Sequence, residues 1–502
     1  MGHKLKITGW VALGVMAGAL TTVSLQTVAR GTVAPLPLEE LQQLAQVFGM
    51  IKSTYVEPVD EKKLIRDAIS GMVSGLDPHS QYFDQKAFKE FSDNTAGKFI
   101  GVGIEITSEE GLVKVVTPIE GSPAFRAGLK TNDLIIKIDD TAVKGLTLNQ
   151  AVKRMRGEPN TVVVLTIYRK EESRTFQVSI TRAEILQDSV RFKIVEPGYA
   201  WIRVSQFQER SADDLVKKLD AIYQQDPQIK GLVLDLRNNP GGLLGVAASI
   251  SSIFLPENLT VVSSKGQIRS SQYEITTTNQ PGAWRSTGGN IYGSLSSASG
   301  NILKTLSPKL KKVPLVVLVN EGSASASEIV AGALQDHKRA KIMGGQTFGK
   351  GSVQTVECMG HRSSSGDCPT AGLKITTARY YTPSGNTIQA KGVVPDLMLD
   401  DTEEGSPYAA LRTREADLEK HISNGQGEEK IDPAAEKARE KAREDALKRL
   451  EEESRKPLAE RRPPEAGSDK DFQLAQAINQ LKGRPVLVSK TLVERKEEKK
   501  DN

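Results

Sequence analysis

An apolar segment at residues 314–320 runs directly into a turn of small residues at 321–328, and a helical pattern follows at 329–336. A strand that ends in a serine-rich turn at the start of a helix exposes a hydroxyl beside backbone N–H groups that lack partners within the helix. Such N–H groups can hold a developing oxyanion. The pattern therefore predicts an α/β core with a nucleophilic serine, and a glycine-spaced loop at 344–354 adds a lysine and a glutamine.

The length of 502 residues exceeds what a single hydrophobic core normally holds, so we expect two or three domains. The formal net charge is only +5, and the basic residues are interleaved with acidic ones. This balance does not indicate a nucleic-acid partner, which would favour clustered lysine and arginine.

The first 30 residues have the pattern of a signal peptide or a signal anchor. A short basic region, Met1–Lys6, precedes an uncharged apolar run over 7–25. The run lies near the boundary between a signal peptide and a membrane-spanning helix, and no clear Ala-x-Ala cleavage site follows it. The sequence thus predicts export and leaves open whether the segment is cleaved or anchors the protein in the inner membrane.

The two cysteines, Cys358 and Cys368, are close in sequence. In an oxidising compartment such a pair is expected to close a small loop through a disulfide. His361 lies between them, but two cysteines and one histidine lack the fourth strong ligand of a zinc site. We therefore expect a disulfide and no metal.

Composition and periodicity divide the remaining chain. Two amphipathic helices are predicted within 36–96, and strand-like segments dominate 97–182. A larger region at 183–400 alternates strands and helices, which is typical of an α/β core. Inside it, 263–306 is rich in Ser, Thr, Gly and Asn and predicts a long loop or a β excursion over the core.

The C-terminal part changes character. Residues 401–465 form a linker dense in Glu, Lys and Arg, broken by prolines near its end. Residues 466–502 regain an amphipathic helix, which should dock on this chain or on a partner, and then a charged tail.

Residues 97–182 contain short elements in a characteristic order. A Gly-Val-Gly-Ile sequence, Gly101, Val102, Gly103 and Ile104, precedes a strand, and a Ser-Pro-Ala…Ala-Gly-Leu…Asp-Leu-Ile run follows it. In this order the segment resembles a PDZ domain. The resemblance implies that amides of the Gly101–Ile104 loop receive a terminal carboxylate while the peptide adds as a strand beside 104–106.

A serine nucleophile usually needs a base, and histidine is scarce. The five histidines are His3, His79, His337, His361 and His421. None stands in a convincing motif, and His79 fits a packed turn after a helix. A buried lysine can replace histidine, because desolvation lowers its pKa and leaves a neutral amine. Lys350 lies between two glycines among small and apolar residues, so it is the candidate base.

A second glycine pair, Gly241 and Gly242, follows an apolar strand pattern at 231–236. The pair invites a phosphate-loop interpretation, but the Gly-Lys-Ser/Thr ending of such loops is missing. A glycine loop between a strand and a helix also presents backbone amides, which suit half of an oxyanion hole.

Four motifs occur together in this chain. They are Leu76–Ser80, Asp235–Gly242, Gly322–Glu328, and Thr347–Gly351 followed by Gln354. In combination they resemble the carboxyl-terminal processing (tail-specific) protease family, over roughly 36–396. The resemblance implies that Ser325 is the nucleophile, that Lys350 is the general base and that Gln354 orients the lysine. It also implies that the N–H groups of Gly242 and Ala326 form the oxyanion hole.

The same resemblance implies a ββα-spiral protease core, related to crotonases and Clp proteases, with an inserted PDZ domain and helical terminal segments. It implies no cofactor, and protein or peptide substrates with accessible C-termini. It further implies a homodimer or a higher homo-oligomer, an envelope adaptor as an optional partner, and a periplasmic location. Membrane contact is expected only through an uncleaved N-terminal segment.

Two alternatives stay open at this point. The chain could be a non-catalytic PDZ-containing binding or scaffold protein, although the complete set of Ser325, Lys350 and Gln354 favours an enzyme. Crotonase-like acyl-CoA chemistry is disfavoured by the predicted export, since acyl-CoA is cytosolic.

Overall fold

The structure, a computed structural model, describes residues 37–109, 111–119, 121–280, 282–287, 292–360, 371–425, 433–455 and 465–494. The described residues fall into two compact units that divide after Ile69. The predicted signal segment at 1–30 lies outside the described residues. None of the helices in the described part of the chain is long and apolar enough to cross a membrane.

The first unit holds helix α1 (Leu38–Thr54) and the start of α2 (Glu61–Ser74), close to the predicted positions of the two amphipathic helices. Acidic residues occupy the first turn of α1 and Lys52 its last turn, which complements the helix dipole. No residue of α1 is buried. Its apolar side chains therefore form an exposed row on one helix.

The second unit begins with elements that precede the PDZ-like segment. These are β1 (Gln81–Asp84), α3 (Gln85–Thr95) and β2 (Lys98–Gly101). Asp84 caps α3, because its side chain accepts a hydrogen bond from Ala87 N at 2.9 Å. No helix was predicted at α3, where Phe88 is the one buried residue.

The PDZ-like segment is an antiparallel sheet closed by two helices. Its elements are β3 (Ile104–Glu109), β4 (Leu112–Pro118), α4 (Pro123–Arg126), β5 (Leu134–Ile138), β6 (Thr141–Ala142), α5 (Leu148–Met155), β7 (Val162–Arg169) and β8 (Arg174–Thr181). The strand order is β3-β4-β5-β7-β8, with β6 paired to β5, so β3 is an edge strand. A capping box between Thr147 and Gln150 starts α5.

The α/β core follows. Its elements are β9 (Ala183–Leu186), β10 (Val190–Glu196), β11 (Tyr199–Val204), α6 (Ser211–Gln225), β12 (Gly231–Asp235), α7 (Leu244–Phe254), β13 (Thr260–Gly266), β14 (Tyr273–Thr277), β15 (Trp284–Ser286), β16 (Tyr292–Gly293), α8 (Ser297–Leu310), β17 (Leu315–Val319), α9 (Ala326–Asp336), β18 (Lys341–Gly344), β19 (Ser352–Met359), β20 (Ala371–Tyr381) and β21 (Leu397–Met398).

One core sheet has the order β10-β11-β12-β17-β18-β21, and every pair except β10–β11 is parallel. Every residue of β12 and β17 is buried, as their continuous Val/Leu runs require for strands covered on both faces. Helices α6 to α9 pack into the apolar cluster on one face. Because β12, β17 and β18 are parallel neighbours, the loops after them emerge at the same edge of the sheet.

The second core sheet has the order β1-β20-β13-β14-β15-β16, with β19 paired to β20. Much of 263–306 thus forms the β excursion named in the sequence analysis. The prediction of a loop or a β excursion is wrong for 297–306, which lie in α8 (Ser297–Leu310). Ser296 caps this helix, and Leu303, Leu306 and Leu310 bury one face of it.

The C-terminal part contains α10 (Pro433–Ser454) and α11 (Phe472–Leu481). Leu474, Ala477 and Ile478 of α11 are buried in a cluster with Trp201, Val233 and Val316 on the other face of the parallel sheet. Of the two docking alternatives, the structure shows docking on this chain.

Candidate active site

The serine turn connects β17 to α9, and its three serines differ sharply. Ser323 and Ser327 are fully buried. Their hydroxyls donate to the carbonyl oxygens of Leu236 (2.8 Å) and Asn239 (2.9 Å). Ser325 is partly exposed and has φ 55° and ψ −112°. Positive φ is uncommon outside glycine and is maintained by surrounding contacts, so the turn presents Ser325 while the other two serines anchor it.

The loop after β12 lies against this turn. Ala324 N donates to Asn239 O at 3.0 Å. Gly241 has φ +98°, and a Cβ at this position would lie 2.8 Å from Ser325 Cβ and 2.9 Å from Ala326 N. Only glycine allows this approach without a clash.

The two predicted oxyanion-hole residues have free donors. Within the described residues, the N–H groups of Gly242 and Ala326 have no acceptor, whereas the neighbouring Gly241 N and Leu243 N are bonded. Ala326 begins α9, so its N–H is one of the unpaired groups at a helix N-terminus. Two unpaired donors beside Ser325 form an arrangement that can bind a developing negative charge.

Lys350 is partly buried on the loop after β18. Burial lowers the pKa of its amine to about 8, and the nearby charge of Lys374 acts in the same direction. Its Nζ donates to Gln354 Oε1 at 2.8 Å. Ser325 Oγ and Lys350 Nζ, both in the described part of the chain, form no direct hydrogen bond in this structure.

Gln354 is fixed from its other side. Its Nε2 donates to Ser352 Oγ at 2.9 Å and to Thr376 Oγ1 at 3.1 Å. Thr376 Oγ1 in turn donates to Asp77 Oδ1 at 3.1 Å, which links the Leu76–Ser80 motif to the lysine. In the same motif, His79 lies in a turn and contacts Glu415 at 2.7 Å.

Glu328 is a site residue that the sequence analysis did not single out. It is fully buried. Its Oε2 accepts from Ser325 N (2.8 Å) and Lys350 N (2.9 Å). Its Oε1 accepts from Thr347 Oγ1 (2.5 Å) and Gly349 N (2.6 Å). Burial raises the pKa of Glu328 to about 7, against the opposing effect of these four donors. An acidic residue three positions after a turn serine is the sequence signal that could have indicated a role at the helix start.

The predicted peptide-binding loop follows β2. Gly101 ends β2 and Ile104 begins β3. Within the described residues, the N–H groups of Val102 and Gly103 have no acceptor. Ile104 and Ile106 of β3 and Leu148 of α5 pack partly exposed against the PDZ-like core. An edge strand, an apolar border and free amides are what strand addition by a peptide terminus requires.

Cys358 on β19 is disulfide-bonded, and its predicted partner Cys368 lies outside the described residues. No cluster of three or more potential metal ligands occurs within the described ranges.

Residues 198–399 match the model of peptidase family S41, residues 101–180 that of the PDZ domain, and residues 16–87 that of the activating protease CtpB N-terminal domain. A carboxy-terminal-processing protease of Bartonella bacilliformis is 37% identical over 422 residues, which are 83% of this chain and 88% of that protein. A probable CtpA-like serine protease of Staphylococcus aureus is 36% identical over 72% of this chain and 65% of its own length.

Among solved structures, a photosystem II D1 C-terminal processing protease is similar, with 31% identity, a TM-score of 0.37, and coverage of 69% of this chain and 84% of that one. The Bartonella relative is 37% identical over more than two thirds of both chains, and residues 198–399 match the S41 family model. The chain therefore belongs to peptidase family S41, among the carboxy-terminal-processing proteases, which are serine peptidases.

Proposed function

We propose that this protein is an envelope endopeptidase that uses a Ser325–Lys350 dyad and recognises substrate C-termini through its PDZ domain. Gln354 orients the lysine, and the N–H groups of Gly242 and Ala326 hold the oxyanion. The observation that carries this proposal is the shared acceptor at the site: Ser325 N and Lys350 N both donate to Oε2 of Glu328. One carboxylate oxygen thus keeps the nucleophile turn and the lysine loop side by side.

The mechanism is acyl transfer. Neutral Lys350 accepts the Ser325 Oγ proton as Oγ attacks the carbonyl carbon of the scissile bond. The resulting oxyanion receives hydrogen bonds from the two free N–H groups. The C–N bond then breaks as Lys350 returns the proton to the leaving amine.

The acyl-enzyme is resolved by water. Lys350, neutral again, takes a proton from the attacking water, and the second tetrahedral intermediate uses the same oxyanion hole. When this intermediate collapses, Lys350 protonates Ser325 Oγ and the new carboxyl terminus leaves.

The direct test compares wild type with Ser325→Ala and Lys350→Ala on an unfolded protein that ends in an apolar C-terminus. We expect wild type to cleave and both variants to lose cleavage while keeping the wild-type melting temperature within a few degrees. Equal cleavage by all three proteins would refute the dyad. No cleavage by wild type, together with tight binding of the C-terminal peptide, would favour the scaffold alternative.

The envelope location is supported by the predicted export signal and by the disulfide at Cys358, because disulfides persist in oxidising compartments. Fusing residues 1–36 to a reporter that is active only after export tests this location. We also propose a homodimer or a higher homo-oligomer, and an adaptor protein as an optional partner.

A further inference from the structure

A buried charge cluster lies under the loop that carries Gly242. Asp235 ends β12, and its carboxylate accepts from Arg237 Nε (3.0 Å) and Nη2 (2.6 Å). The outer side of the same guanidinium faces the C-terminal helix: Nη1 donates to Asp471 Oδ1 at 2.9 Å and Nη2 to Asp471 Oδ2 at 2.6 Å. Gln473 Oε1 adds a third acceptor at 3.1 Å. All four residues are buried.

Asp471 accepts hydrogen bonds from backbone N–H groups as well as from Arg237. Its Oδ1 accepts from Leu474 N at 3.1 Å and so caps α11, while its Oδ2 accepts from Gly467 N at 2.8 Å. Capping alone does not need a charge, since asparagine caps helices as well as aspartate does. The paired, two-bond contact with a buried arginine does need one.

Arg237 belongs to the short segment that reaches the oxyanion hole. Two residues later, Asn239 Nδ2 donates to Val204 O at 2.7 Å, and Asn239 Oδ1 accepts from Gly241 N at 2.9 Å. The carbonyl of Asn239 accepts from Ala324 N and from Ser327 Oγ. The segment from Arg237 to Gly242 is thus fixed to the serine turn at one end and to α11 at the other.

We propose that Asp471 is a positioning residue for the reaction: the C-terminal helix, acting through Arg237, holds the Gly241–Gly242 peptide in place to donate to the oxyanion. This proposal rests on the proposed function, because it assumes the oxyanion hole at Gly242 and Ala326. A C-terminal segment more than 140 residues beyond the nucleophile thereby becomes part of the catalytic apparatus.

The packing of α11 on the sheet does not depend on the contact between Asp471 and Arg237. Leu474, Ala477 and Ile478 already bury the apolar face of α11 on the sheet. Replacing a buried ion pair by apolar residues is often neutral for stability, whereas removing one partner leaves an uncompensated charge. In the Asp471→Asn variant, Arg237 would keep Asp235 but lose its charged outer partner, so the loop between the two anchors could shift.

The test uses the full chain with Asp471→Asn, which keeps a capping side chain and removes the charge. Asp469→Asn is the matched control: the same change two residues earlier, in an exposed pair with Lys193 at 2.7 Å. For Asp471→Asn we expect kcat to fall by about tenfold or more with KM within about twofold, because the lost interaction acts in the transition state. The control should keep wild-type values of both.

Two inhibitors distinguish a displaced oxyanion hole from a general loss of active-site structure. A peptide aldehyde that matches the cleaved sequence forms a hemiacetal with Ser325 whose oxygen occupies the oxyanion hole, whereas the corresponding peptide alcohol does not. We expect Asp471→Asn to weaken binding of the aldehyde by about the same factor as it lowers kcat. Binding of the alcohol should stay unchanged.

Unchanged kcat, or equal weakening of aldehyde and alcohol, would overturn the proposal. If Asp471→Asn does not fold, Gln473→Met removes the neutral acceptor of Arg237, together with the Gln473 Nε2 bonds to Leu399 O (3.5 Å) and Asp400 O (3.2 Å), and should give a smaller loss with the same selectivity. A folded Gln473→Met with wild-type kcat would then overturn the proposal. Retained cleavage by Ser325→Ala would instead refute the proposed function itself, so the two failures are distinguishable.

Discussion

At the scale of single residues, the proposed role of Lys350 as the base makes the activity depend on its protonation state. Burial lowers its pKa to about 8, with Lys374 as the next contribution. A base must be neutral to accept the serine proton, and the neutral fraction grows as pH rises through the pKa. We therefore expect kcat/KM to rise with pH and to level off above about 8.

Lys374→Gln gives a directional check on that pH profile. Removing a nearby positive charge makes protonation of Lys350 easier, so its pKa should rise. The part of the profile in which kcat/KM increases with pH, its rising limb, should therefore move to higher pH. Lys265→Gln, which removes a lysine that lies over the Tyr381 ring, is the control and should leave the limb in place. A limb that moves to lower pH after Lys374→Gln would contradict this account.

Glu328 is the second residue whose chemistry can be tested alone. All four of its hydrogen-bond partners are donors. In Glu328→Gln the amide group would face two of them, so we expect a loss of about 1–3 kcal/mol in the free energy of unfolding. Activity should fall as the serine turn and the lysine loop separate. Chemical denaturation and kcat measure the two effects, and Glu357→Gln at an exposed position should show neither.

The sequence predicts the proposed nucleophile and base more readily than the residue that connects their two loops. Ser325 and Lys350 stand in recognisable motifs, so their roles were predicted. The role of Glu328 depends on contacts with Thr347, Gly349 and Lys350, about twenty positions away, and these become visible only after β17 and β18 pair. A local pattern indicates a helix start there but cannot name the partners across the loop.

At the scale of elements, the candidate site lies at the ends of three parallel strands that are neighbours in the sheet. The loops after β12, β17 and β18 carry Gly242, Ser325 and Lys350, respectively. These strands were predictable because each is a short apolar run followed by glycine or small residues. Helix α8 was not predictable, because serine and glycine interrupt the spacing of its apolar residues and Pro308 lies within it.

Gly241→Ala tests how closely the β12 loop approaches the serine turn. The residue has φ +98°, and a methyl group would lie 2.7 Å from Ala324 O and 2.9 Å from Ala326 N. The loop would have to move away from Ser325, so we expect kcat to fall by about 100-fold or more. Gly300→Ala in α8 meets nothing within 4 Å and should keep wild-type activity. Wild-type kcat in Gly241→Ala would contradict the proposed oxyanion geometry.

At the scale of the whole molecule, the PDZ domain can be removed at a natural junction. Gly101 of β2 and Ala183 of β9 are antiparallel partners, so a two-residue Asn-Gly turn can replace 102–182 and close a hairpin. We expect this variant to cleave unfolded proteins without preference for their C-termini. Rates on two substrates that differ only in an apolar or a charged C-terminus measure the preference. A preference as strong as that of the full chain would refute recognition by the PDZ domain.

Assembly is the last property at this scale, and we expect the proposed oligomer to form through the exposed apolar row of α1. Leu41 and Leu44 are 45% and 48% exposed on a helix with no buried residue. Burying a leucine side chain contributes about 1.5–3 kcal/mol, so pairing through this row would be favourable. We expect Leu41→Glu with Leu44→Glu to lower the mass measured by light scattering, to half if the wild type is a dimer. Gln42→Glu with Gln43→Glu adds the same charge to the same turn and should leave the mass unchanged. If the leucine variant keeps the wild-type mass, α1 does not hold the oligomer together.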